Sequence, residues 1–164
     1  MYQARLPRRY PPAWRIWLGF LVAPAVGALI MGLLAPAYDG LPTFGERLIA
    51  TVKIYALIGA YPTALLFGVP AYFMARRHFP ARPLPCAFVG GVVAALPWMI
   101  LALISPASSA SIGGRATIID GHYTAYGWLT NAGFVGQIAL VGSAAGLIFW
   151  AISAAGFEQV RHGD

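Results

Sequence analysis

The chain has 164 residues, of which 59% are hydrophobic and only 10% charged. A soluble domain carries about a quarter charged residues, so this composition excludes a soluble globular surface. The formal net charge is +6, but the basic residues flank apolar stretches as topology signals do, which turns the reading away from nucleic acid.

A transmembrane helix needs about 20 mainly apolar residues. Four stretches qualify, at 16–36, 54–74, 84–105 and 129–153, with outer loops over 37–53 and 106–128. The expected fold is an all-α membrane protein: a bundle of four transmembrane helices with a short extracytoplasmic β-hairpin between the third and fourth. The whole of 1–164 is read as one integral membrane domain, because only short tails and loops remain.

The N-terminal segment carries Arg5, Arg8, Arg9 and Arg15, with Pro11 and Pro12 favouring extended backbone. The first apolar stretch has a basic flank and an "APA" at 35–37. A signal-peptide core is about 7–15 residues long, so a stretch near 20 is expected to stay as a helix. Trp14, Trp17, Tyr72 and Trp150 fall where an interfacial aromatic belt would lie on one side, and Trp128 on the other. Arg76, Arg77 and Arg82 between spans two and three, and Arg161 in the tail, fall on the same side as the N-terminus. The opposite side has Arg47, Arg115 and Lys53. The positive-inside rule therefore places both termini in the cytoplasm of a multi-pass inner (plasma) membrane protein, with basic segments available to anionic lipid headgroups.

Span two begins with Lys53, whose stem can snorkel to water or pair with Glu46. Tyr55, Tyr61 and Thr63 follow, and Asn131 and Gln137 lie toward the outer half of span four. These six residues are candidates for a polar cavity in the outer leaflet, or else for hydrogen bonds between helices. Interior prolines at 24, 62 and 97, with Pro70 near the end of span two, predict kinks. The single cysteine, Cys86, cannot form an internal disulfide.

Loop three divides in two. "PASSASIGG" reads as flexible and polar. "RATIIDGHYTAY", residues 115–126, reads as a hairpin, because Asp120-Gly121 suits a two-residue type I′ turn. The expected register pairs Ile119 with His122, Ile118 with Tyr123, Thr117 with Thr124 and Ala116 with Ala125. Ala116, Ile118, Tyr123 and Ala125 then share an apolar face that must rest on something, since an isolated hairpin is marginal in water. The candidate partner surface is Arg115, Ile118, Asp120, Gly121, His122, Tyr123 and Tyr126.

Span four carries Gly133, Gly136, Gly142 and Gly146, and its "GSAAG" matches the small-xxx-small pattern of close helix packing. The glycines do not share one face, so more than one neighbour is expected, within the chain or in a homo-oligomer. Gly90 and Gly91 of span three, and Ala28 and Gly32 of span one, are the small residues available to face it.

No Asp, Glu, Arg or His lies centrally in a span, and His78, His122 and His162 all fall outside. Proton coupling, haem ligation and metal ligation therefore lack their usual residues, and no catalytic set or cofactor is expected. The function expected is that of a small bacterial-type inner-membrane protein acting through protein contacts. It would be an accessory subunit, or a protective or inhibitory partner of a membrane complex or membrane-active protein. The alternative is a carrier or binder of a lipid-like or small apolar molecule between proline-kinked helices.

Overall fold

The computed structural model describes residues 11–37, 40–78, 82–104 and 107–155, with the backbone alone for 77 and 78. Arg5, Arg8, Arg9, Asp39, Arg161 and His162 lie outside the described residues, as do the side chains of Arg77 and His78. Four helices are long and apolar enough to cross a membrane: α1 (Ala13–Leu34), α2 (Phe44–Arg76), α3 (Pro83–Ile104) and α4 (Ala125–Ser153). Strands β1 (Ala110–Ile112), β2 (Arg115–Ile119) and β3 (His122–Tyr123) lie between α3 and α4.

The helix boundaries follow local chemistry. Helix α1 stops at Leu34 because Ala35 precedes a proline and turns out of the helical region, at φ −141° and ψ 72°. Helix α2 starts ten residues before the expected 54, so most of the supposed loop 37–53 is helical. The cause is a reciprocal cap. The Thr43 hydroxyl accepts from the Glu46 N–H at 3.3 Å, and the Glu46 carboxylate accepts from the Thr43 N–H at 3.4 Å. The pattern T-x-x-E is visible at 43–46 in the sequence.

Helix α2 contains two wide, π-type turns, Tyr55–Ala60 and Ala64–Gly68. The Tyr61 N–H reaches back to the Ala56 carbonyl, and the Val69 N–H to the Ala64 carbonyl. Each donor is the residue before a proline, Pro62 or Pro70. A proline lacks an N–H and crowds the carbonyl four residues back, so a wider turn just before it relieves the conflict. The sequence carries the same period. Residues 56–63 read ALIGAYPT and residues 64–71 read ALLFGVPA. Two ordinary α-turns take about 7.2 residues, so an eight-residue repeat in a regular α-helix would drift around the axis. With the wide turns, Leu57–Ile58, Leu65–Leu66 and Phe73–Met74 are all exposed, as one lipid-compatible apolar series. Pro24 and Pro97 instead sit inside continuous α-helix.

Helix α4 packs against both α3 and α1, and the contact with α3 is the more extensive. It depends on missing side chains. A β-carbon at Gly90 would meet the Gly142 carbonyl and the Gly146 backbone. One at Gly146 would meet the Cys86 carbonyl, and one at Gly91 would meet the Ala139 carbonyl and the Ser143 hydroxyl. Backbones this close gain dispersion and weak hydrogen bonds that larger residues would forbid. On α1, Gly27 faces Ala145 and Val141 of α4, whereas Gly32 faces Leu48 and Val52 of α2. Gly32 therefore serves a different neighbour from the one expected.

Helices α1 and α2 are joined by polar contacts as well. Thr51 is fully buried; its hydroxyl accepts from the Ala37 N–H at 3.0 Å and lies 2.7 Å from the Arg47 carbonyl. The Tyr61 hydroxyl donates to the Leu21 carbonyl at 2.9 Å, next to the Phe20 carbonyl that Pro24 deprives of its helical donor. At the far end of the helices, Phe20, Tyr72 and Phe149 bring together α1, α2 and α4 at ring distances of 4.8–6.0 Å. There Arg15 donates from Nε to the Ile152 carbonyl at 2.8 Å and from Nη2 to the Ala155 carbonyl at 3.3 Å. A cation on the last carbonyls of α4 offsets the negative end of its dipole.

The strands form one antiparallel sheet in the order β1-β2-β3. The expected pairs Ile119–His122 and Ile118–Tyr123 are present. Asp120 and Gly121 have φ of 49° and 77°, both positive, as a type I′ turn demands. The segment expected to be flexible is instead partly ordered. Ala110–Ile112 pairs with β2, through a second turn at Gly113-Gly114 with φ of 57° and 77°. The hairpin is thus a three-stranded meander. It also ends earlier than expected: Thr124 keeps its bond to Thr117 (N–H to carbonyl, 3.0 Å), but Ala125 begins α4 and never pairs with Ala116. The Thr124 hydroxyl accepts from the Gly127 N–H at 3.0 Å, so an N-cap overrides the strand pattern.

Candidate functional site

The sheet is fused to the start of α4 rather than laid over the helices as a separate flap. The Thr117 carbonyl abuts the Gly127 backbone, and a β-carbon at 127 would overlap it. The Tyr123 ring packs on Trp128 with centroids 4.8 Å apart. Ile118 is buried, so it lies within the expected partner surface without being available to a partner. Tyr123 is half-buried for the same reason. The covered side of the sheet is therefore satisfied by the chain itself.

The remaining residues of that surface are more accessible. Arg115, Asp120 and His122 are exposed, and Gly121 is half-buried in its turn. Tyr126 belongs to α4, with the Arg115 guanidinium 5.5 Å from its ring centroid. By register, Ile112 lies beside Arg115 on the face that carries Ile118, and Ile119 lies beside His122 on the other face, because a bulge at Thr117 shifts the alternation between the two pairs. Ile112 and Ile119 are each 52% exposed. They are exposed apolar residues of the sheet, one on each face, and neither belongs to the expected partner surface. The Gly113-Gly114 dipeptide, flanked by strand-forming residues, was the signal that could have found the edge strand bearing Ile112.

The six residues proposed to line a membrane cavity are divided between α2 and α4. Tyr61 is committed to the Leu21 carbonyl of α1, and the Tyr55 hydroxyl lies 3.4 Å from the carbonyl of Ala35, just past the end of α1. Lys53 is exposed, and Glu46 is engaged in its cap. Thr63 is half-buried on α2. Crevices of about 250 and 360 Å³ open at the sheet, and none of the six lines either. No group of three or more His, Cys, Asp or Glu side chains comes together among the described residues.

Asn131 and Gln137 belong to a different setting. Helix α4 is closed around Gly142 and Gly146 and open at Gly133 and Gly136, although Phe134 between the latter two packs on Trp98 of α3 with ring centroids 5.5 Å apart and Ile138 is buried. Gly142 and Gly146 are buried against α3. Gly133 and Gly136 are exposed, with open space where a β-carbon would stand. Leu129 and Leu140 of α4 are 72% and 74% exposed. Gln137 is half-buried beside them. It lies twelve residues into α4, about 18 Å along the axis. Neither Asn131 nor Gln137 hydrogen-bonds through its side chain to another described residue.

Compared with protein-family models, curated proteins and solved structures, the chain matches none.

Proposed function

We propose that this chain is a non-enzymatic, multi-pass inner-membrane protein that works by binding a protein partner through the open side of α4 at Gly133 and Gly136. Its four helices form a transmembrane bundle with both termini in the cytoplasm. The basic flanks support that orientation, and the sheet then lies outside. The observation that carries the reading is the contrast along one helix. Gly142 and Gly146 are filled by α3, whereas Gly133 and Gly136, next to the half-buried Gln137, meet open space. In a bilayer, small residues permit close helix approach, and a polar side chain in hydrocarbon gains a partner only from another protein surface or an internal acceptor. Ile119 and His122, exposed side by side on one face of the sheet, extend the contact surface beyond the membrane. The partner is an accessory or inhibited membrane protein, or a second copy of this chain.

A photo-crosslinking residue at Gly136 in living cells, compared with one at Leu65, tests this. The reading expects a discrete crosslinked species from position 136 alone, identified by mass spectrometry. Lipid adducts only at both positions would overturn it.

A further inference from the structure

We draw no further inference here: the strongest candidate, the open crevice of about 250 Å³ between the end of α3 and the Gly121–Tyr123 turn beside Trp128, holds no buried polar side chain, and nothing in the structure shows what covers it.

Discussion

Gly127 meets the Thr117 carbonyl so closely that no side chain fits between them. That contact joins the sheet to the first turn of α4. The same carbonyl accepts from the Thr124 N–H at 3.0 Å, and the Thr124 hydroxyl then caps the Gly127 N–H. One short segment, 117–127, therefore ends the sheet, starts the helix and locks the two together.

Replacing Gly127 with alanine forces the sheet away from α4. Overpacking of this kind costs about 1–3 kcal/mol. A lower thermal midpoint in detergent is expected, with faster proteolysis between residues 107 and 124. An unchanged midpoint and digestion pattern would show that the two elements are not locked.

Gly121→Val acts on the turn alone. Its φ of 77° lies in the left-handed region, where a β-branched residue pays about 1–2 kcal/mol. The sheet is expected to become protease-sensitive while the helices stay inserted. Loss of membrane insertion would mean that the sheet is needed to assemble the helices.

The closed and open sites of α4 separate packing from partner binding. Gly90→Val places a side chain on the Gly142 carbonyl and the Gly146 backbone. It is expected to destabilise the α3–α4 pair by about 1–3 kcal/mol, read as earlier unfolding in a denaturing detergent titration. Gly133→Val meets open space, so stability should hold within about 0.5 kcal/mol. Equal losses from both variants would contradict the closed and open sites.

Arg15→Met keeps the apolar stem but removes the donors to the Ile152 and Ala155 carbonyls. A cation at a partly buried helix C-terminus contributes up to about 2 kcal/mol. A loss of about 1–2 kcal/mol is expected, partly recovered by Arg15→Lys, which restores the charge without the forked geometry. Detergent-titrated unfolding of the three proteins checks this, and full stability in Arg15→Met would remove the cap from the account.

Orientation can be read with single cysteines in a Cys86→Ala background. An impermeant thiol reagent added to intact cells is expected to label a cysteine at Ser109 but not one at Arg82. The opposite pattern would invert the topology.

Much of the architecture was legible because hydrocarbon thickness sets a simple length rule. Four apolar stretches announced four helices, and Asp120-Gly121 announced its turn through the positive φ that both positions need. The α3–α4 contact was legible at Gly90, Gly91, Gly142 and Gly146, since close approach requires small residues. Two local signals were present but passed over. Thr43 to Glu46 is a capping box that starts α2 early, and the octads at 56–71 mark its wide turns. Apolar length alone hides both, because a cap and a change of pitch leave hydropathy almost unchanged.

The sequence by itself determined the number of helices, their approximate bounds, the type I′ turn and the glycine surfaces available for packing. These follow from bilayer thickness, backbone dihedrals and side-chain volume, which act over a few residues to a few turns. Only the tertiary structure decided which glycines were used. Gly32 went to α2, Gly142 and Gly146 went to α3, and Gly133 and Gly136 went to no neighbour among the described residues. It also decided that Tyr61 spends its hydroxyl on the Leu21 carbonyl and that Thr124 leaves the sheet to cap α4. Those outcomes depend on which surfaces and acceptors come together across long stretches of chain, and no local pattern encodes that competition.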